Sequence, residues 1–275
     1  MFETRLYDSH VHSRNSHDGS DAVEDLCREA IKLGIAGIAI TDHCDVGMGA
    51  RYCEAVRGGL WREIQRAREI FGDSLEISMG IELGEPHHNL ELAKGIAGGG
   101  ELDFVIGSVH RLRGEEDFHD IDYRRADLDY LFRKYCDELY ELSECGCCDV
   151  IAHINYQIRY MSSAQRESLD LTKYHPALSE VLESAVRNGV CVEVNTSCLR
   201  MGASGLLPSK EVLRTFRSLG GRTVTVGSDA HSAGNIGRGL REAIEHLRGA
   251  GFGSYAFFKK KAPVTVGAAP PLNVG

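Results

Sequence analysis

Apolar residues in this chain gather in short runs with no polar-out face, and amphipathic stretches separate them. Each run stops at a polar cluster. The first closes on Asp8-Ser9-His10-Val11-His12, and Ile38-Ala39-Ile40 leads into Thr41-Asp42-His43. Leu75 to Met79 leads into Gly80-Ile81-Glu82, and Phe104-Val105-Ile106 into Ser108-Val109-His110. Val150-Ile151-Ala152 ends on His153, and the run from Val190 ends on Glu193-Val194-Asn195. Val224-Thr225-Val226 ends on Gly227-Ser228-Asp229-Ala230-His231. Continuous apolar runs of this length are the mark of strands buried on both faces, as parallel sheets require.

Between the runs the spacing turns helical. Leu26, Ala30, Ile31 and Leu33 form a stripe that Ser20 would cap, with Glu24 near the capping-box position and Gly34 at the end. Further helices are predicted over Leu60–Phe71, Leu128–Ser143, His175–Asn188, Ser209–Leu219 and Gly237–Ala250. Strand and helix alternate, so the fold class is α/β, a parallel sheet covered by helices. Seven or eight such units in 275 residues suit a closed barrel better than an open sheet. In such a barrel the carboxyl ends of the strands converge at one mouth, where the chemistry is placed. The polar clusters all fall at that end.

Composition narrows the picture. At 275 residues and 43% hydrophobic content, with no linker-like segment, residues 1–275 are expected to form one domain. A net charge of −9 argues against a nucleic-acid binder, and Lys259-Lys260-Lys261 reads as a solvated surface segment. No apolar stretch approaches a bilayer span, and Met1 to Arg5 carries no signal-peptide pattern, so a cytoplasmic protein without a membrane role is expected. The nine cysteines are then reduced thiols. Cys145-Gly146-Cys147-Cys148 holds a single C-x-x-C with no second pair to complete a zinc site.

The informative polar residues are His10, His12, His43, Glu82, His110, His153, Asp229 and His231. A strand-end histidine taken alone is more often ordinary hydrogen-bonded structure. A series of them at successive strand ends has no such explanation. Residues i and i+2 of a strand share a face, which pairs His10 with His12, and Asp229 repeats that spacing with His231. Imidazoles joined by carboxylates form a nitrogen–oxygen site suited to Zn²⁺, Mn²⁺ or Fe²⁺.

The order Asp-x-His-x-His, Thr-Asp-His, Gly-Ile-Glu, Ser-Val-His, Ala-His, Glu-Val-Asn and Gly-Ser-Asp-Ala-His resembles the PHP (polymerase and histidinol phosphatase) superfamily over residues 6 to 231. The resemblance implies a distorted seven-stranded (β/α)₇ barrel holding up to three divalent ions. It implies one ion on His10, His12, Glu82 and Asp229, and a second sharing Glu82 with His110 and His153. A third would use His43, His231 and one residue of the loop Ser13 to Asp18. Asp18 is the expected ligand there, leaving His17 free to meet substrate or act as an acid. Asp8 and Asp42, beside ligands, are expected to orient imidazoles.

A carboxylate bridging two ions suits phosphate-ester hydrolysis by a metal-activated hydroxide, with Glu82 and Asp229 carrying the metals. Arg159-Tyr160, and Arg200 after Asn195-Thr196-Ser197, resemble the histidinol-phosphatase branch and offer a bidentate phosphate clamp. That branch acts on L-histidinol phosphate, whose ammonium and imidazole call for an acidic contact such as Glu85 or Glu115. Three other readings remain: a PHP phosphoesterase acting on nucleotides or other small phosphate esters, an amidohydrolase with a modified-lysine bridge, and a barrel without activity. Oligomeric state is not indicated by the sequence.

Overall fold

A computed structural model describes residues 5–202 and 205–268. Seven strands form one parallel sheet in chain order: β1 Leu6–Val11, β2 Ile35–His43, β3 Glu76–Gly84, β4 Phe104–Ser108, β5 Val150–Ile151, β6 Cys191–Asn195 and β7 Val224–Gly227. The extension of β7 returns to β1. His12 N–H donates to the Ala230 carbonyl and Asp229 N–H to the His10 carbonyl, both at 2.8 Å. These bonds bring the sheet nearly to closure, as the expected distorted barrel requires.

Nearly every residue of the seven strands is buried, which explains why their sequences read as apolar runs without alternation. Helices α1 Val23–Lys32, α2 Ala50–Phe71, α3 Leu90–Ala97, α4 Leu128–Glu144, α5 Ser163–Ser168, α6 His175–Arg187, α7 Ser197–Arg200, α8 Lys210–Ser218 and α9 Leu240–Gly249 occupy the connections. None of the described helices is long and apolar enough to cross a membrane.

Helix α9 starts at Leu240 rather than Gly237, and two other helix starts differ from expectation for a tertiary reason. Helix α1 begins after Ala22 with no side-chain cap, because Ser20 is drawn to the barrel mouth. The Ser20 amide and hydroxyl both donate to the His231 carbonyl, each at 3.0 Å. Glu63 of α2 takes the Val23 amide instead, at 3.1 Å, a cap supplied by tertiary structure. Helix α2 starts at Ala50 rather than Leu60, running through Gly58-Gly59. Gly59 is tolerated there because Asn15 packs where its Cβ would lie. Helix α3 was not foreseen.

Nor was the antiparallel hairpin of β8 Ser254–Lys259 and β9 Ala262–Gly267, which packs against the amino ends of the barrel strands. The Tyr255 hydroxyl accepts the Tyr7 amide at 3.2 Å and donates to the Arg5 carbonyl at 2.9 Å. Ser78 donates to the Phe258 carbonyl at 2.7 Å, and Phe258 stacks on Phe104 with ring centroids 5.2 Å apart. Lys260 and Lys261 form the hairpin turn with positive φ, exposed as the sequence suggested. The apolar hairpin closes one pole, leaving the polar strand ends at the other.

Candidate metal centre

The ligand-type residues meet at the open pole. His43 is the last residue of β2 and lies beside Glu82 in the β2–β3 register, so parallel pairing puts them on neighbouring strands at one height. His10 lies in β1 and His12 one residue past it; their Nε2 atoms stand 3.0 Å apart. His153 (φ 36°) and Asp229 (φ 55°) hold left-handed backbone conformations just beyond β5 and β7. Such strain costs about 1–3 kcal/mol per residue, persists where the surrounding fold enforces it, and clusters at functional sites.

Glu82 is the centre of the arrangement. Its Oε1 lies 2.8 Å from His153 Nε2 and 3.1 Å from His110 Nε2. Its Oε2 lies 3.2 Å from His10 Nε2, 3.4 Å from His12 Nε2 and 3.2 Å from His43 Nδ1. Asp229 Oδ1 stands 3.5 Å from His12 Nε2, completing the first expected group. Asp18 Oδ2 lies 3.0 Å from His231 Nε2 and 3.6 Å from His43 Nε2, so Asp18 joins the third group. His17 is exposed on the rim, its ring 5.3 Å from that of His43.

The donor set fits divalent cations. Spacings near 3.3 Å are about the edge of a tetrahedral site with ligand bonds of roughly 2.0–2.1 Å. Among the described residues four donor groups have ligand atoms close enough to share an ion, three of them at this pole: His10-His12-Glu82, His43-Glu82-His110 and His12-His43-His231. His43 Nδ1 is buried and makes no hydrogen bond, although Glu82 Oε2 is near, so no protein group satisfies it. Among the described residues no lysine lines the pocket, and Glu82 contacts imidazoles through both of its carboxylate oxygens.

Charge follows from these contacts. Burial would raise the Glu82 carboxyl, but the imidazoles of His10, His43 and His110 hold it well below the ordinary range. Burial would lower His43 and His110, but Glu82 and neighbouring carboxylates raise them to about 10 and about 9. His12 goes the other way: burial together with His231 and His43 press it well below an ordinary histidine. The metal-free pocket thus stores protons on His43 and His110 that a cation would displace.

The residues beneath the pocket correct several expectations. Asp8 touches no imidazole ring; it accepts the amides of Ser228 at 2.8 Å and Gly237 at 2.9 Å and so ties β1 to the β7 end. Asp42 accepts Ser13 N–H at 2.6 Å and the Ser16 hydroxyl at 3.0 Å, reaching His12 only through Ser16. The carboxylate that orients an imidazole is Glu193, whose Oε1 lies 2.7 Å from His10 Nδ1. Asn195 donates to both Glu193 at 3.0 Å and Asp229 at 3.3 Å. The sequence placed Glu193 at a strand end, the one available signal, but gave it no role. Gly227 makes the contact possible, since a Cβ there would strike both Glu193 Oε1 and His10 Cβ.

Arg159 is buried, with both terminal nitrogens on Asp229 Oδ2 at 3.2 and 3.3 Å and its guanidinium 4.2 Å from the Tyr156 ring centroid. Arg200 donates to the carbonyls of Ser228 at 2.6 Å and Asp229 at 2.8 Å. Both arginines therefore converge on Asp229. Tyr160 lines the pocket, its hydroxyl 2.6 Å from that of Tyr156. Glu115 is a correction: it is exposed, accepts the Tyr130 hydroxyl at 2.7 Å, and lies in an outer groove. The segment folds back so that Asp117, His119 and Asp120 line the pocket instead. Glu85 is buried and accepts the His110 amide at 2.6 Å, a structural contact; burial raises its carboxyl to about 7. The pocket encloses about 460 Å³ and is walled by His17, Asp45, Asp117, Asp120 and Tyr160 among others.

The geometry matches known proteins. A Thermotoga maritima protein named "Probable histidinol-phosphatase" is 29% identical over 257 residues, covering 93% of this chain and 97% of its own. The histidinol-phosphatase of Lactococcus lactis is 25% identical over 260 residues, covering 91% and 93%. Among solved structures, the histidinol phosphate phosphatase of Lactococcus lactis, complexed with zinc, L-histidinol and phosphate, superposes with a TM-score of 0.78. It is 22% identical and covers 95% of this chain and all of its own, which establishes the shared barrel. The family model described as "PHP domain" matches residues 8–197, which carry most of the ligand set above, so the chain belongs to the PHP domain family.

Proposed function

We propose that this chain hydrolyses the phosphate monoester L-histidinol phosphate to L-histidinol and inorganic phosphate, as a single catalytic domain over residues 1–275. The observation that carries the reading is Glu82, one buried carboxylate with separate imidazole groups on its two oxygens, behind His43 and His110, which line an acid-rimmed pocket. The relatives named for this activity, matched over most of both chains, support it.

His10, His12, Glu82 and Asp229 would hold one ion, Glu82, His110 and His153 a second, and Asp18, His43 and His231 a third. When bound, divalent cations supply charge neutralisation for the phosphoryl group and a water acidic enough to act as a nucleophile near neutral pH. The chain's own residues do the positioning. Glu193 fixes the His10 ring, and Asn195, Arg159 and Arg200 fix Asp229. Arg159 also keeps a buried Nε–H with no partner, a donor available to a phosphate oxygen. Asp117 and Asp120 face the pocket with charge complementary to an ammonium and an imidazole. His17, exposed at the rim, would protonate the departing alkoxide.

Protein loaded with Zn²⁺ or Mn²⁺ should release phosphate from L-histidinol phosphate far faster than from p-nitrophenyl phosphate or AMP. Equal rates on all three would remove the substrate assignment and leave a general phosphoesterase. Faster hydrolysis of AMP would favour the nucleotide reading.

A further inference from the structure

A second set of metal-type donors converges outside the pocket, where the turn after β3 meets α4. Glu85, in a left-handed conformation (φ 47°), and Pro86 set a single 3₁₀ turn over Pro86–His88. The turn brings the rings of His87 and His88 together, edge-on, with centroids 4.6 Å apart. Both Nε2 atoms meet one oxygen of Glu138 on α4: His88 lies 2.6 Å from Oε2, and His87 contacts the same atom. The other oxygen, Oε1, accepts the Arg113 backbone N–H at 2.9 Å, which fixes the carboxylate's orientation. His87 and Glu138 are buried and His88 is half-buried.

Neither histidine nor Glu138 lines the main pocket, and no role in the proposed hydrolysis uses them. Two imidazoles and a carboxylate brought within 4.8 Å of one another are the donor set of a three-ligand zinc site with its fourth position left to water. The hydrogen-bonded contact to Arg113 is the kind of outer contact that holds a ligating carboxylate in place. His87 Nδ1 is buried and makes no hydrogen bond, so no partner there opposes a change of tautomer when Nε2 takes a cation. We propose that His87, His88 and Glu138 bind a divalent cation of the zinc class, which clamps the turn leaving β3 onto α4. A protein-only reading has the two imidazoles simply donating to Glu138, and metal counting separates the two.

Wild type, His88→Gln and Glu138→Gln, each equilibrated against buffered Zn²⁺ and freed of excess, should differ in metal content, with wild type carrying about one more equivalent than either variant. Wild-type crystals soaked in Zn²⁺ should show an anomalous peak between the two Nε2 atoms and Glu138. Identical zinc content in all three proteins, or a soaked crystal with no peak there, overturns the proposal. Should Glu138→Gln fail to fold, His88→Gln, whose side chain is partly solvated, and the soaked wild type decide the question.

Discussion

Arg159 holds Asp229 by one carboxylate oxygen, 3.2 Å from Nη1 to Oδ2, while Oδ1 of the same carboxylate faces His12 at 3.5 Å. One buried carboxylate thus joins a guanidinium to the imidazole cluster. Arg159→Ala should lower kcat/KM by ~10²-fold, the loss of one charge-assisted contact of a few kcal/mol. Metal content should stay near wild type, because Asn195 still donates to Asp229. Metal analysis beside steady-state kinetics checks this. Loss of metal would make Arg159 a residue that holds Asp229 rather than phosphate.

Glu82 serves imidazoles on both oxygens, so its removal should act on more than one ion. Glu82→Gln is expected to abolish turnover and to lose at least the ions of the His10 and His110 groups, read by elemental analysis of the purified protein. Full metal content in that variant would mean the ions do not share Glu82.

Glu193→Gln tests positioning at a distance from the ligand atoms. The His10 ring would lose the carboxylate beside Nδ1, and outer partners of this kind typically carry a factor of roughly 10–100 in metal affinity. Competition with a chromogenic chelator should show that loss, and Glu193→Asp should recover part of it. Unchanged affinity in Glu193→Gln would show that barrel packing alone fixes the ring.

Metal binding should release protons. In the metal-free protein His43 and His110 are raised to about 10 and about 9, so both are protonated at pH 7 and must become neutral to ligate. Affinity for Zn²⁺ should therefore rise with pH from 6 to 9. Calorimetry of Zn²⁺ binding in buffers of different ionisation enthalpy should report proton release at pH 7. An enthalpy independent of buffer would contradict it.

The opposite pole should affect stability without touching chemistry. Tyr255→Phe removes the acceptor for the Tyr7 amide and the donor to the Arg5 carbonyl, leaving a buried N–H unpaired. The expected cost is about 1–3 kcal/mol in denaturant unfolding, with kcat/KM unchanged. A fall in activity at full folding would show that the hairpin communicates with the mouth.

The order of residues along the chain determined the strands, most helices and the identity of the metal-type ligands. These are local properties: burial on both faces imposes an apolar run, helical packing imposes its own period, and a strand's carboxyl end is polar only where it faces a site. Only the nearly closed barrel decided which donors meet. Which Glu82 oxygen serves which imidazole depends on strand register, and Glu193 reaches His10 because β6, β7 and β1 come together around a glycine. Arg159 and Arg200 meet at Asp229, and Glu115 turns outward while Asp117 turns in, through loop paths that no local periodicity records. Ser20 likewise lost its cap to Glu63 because the His231 carbonyl, far along the chain, lies beside it once the barrel forms.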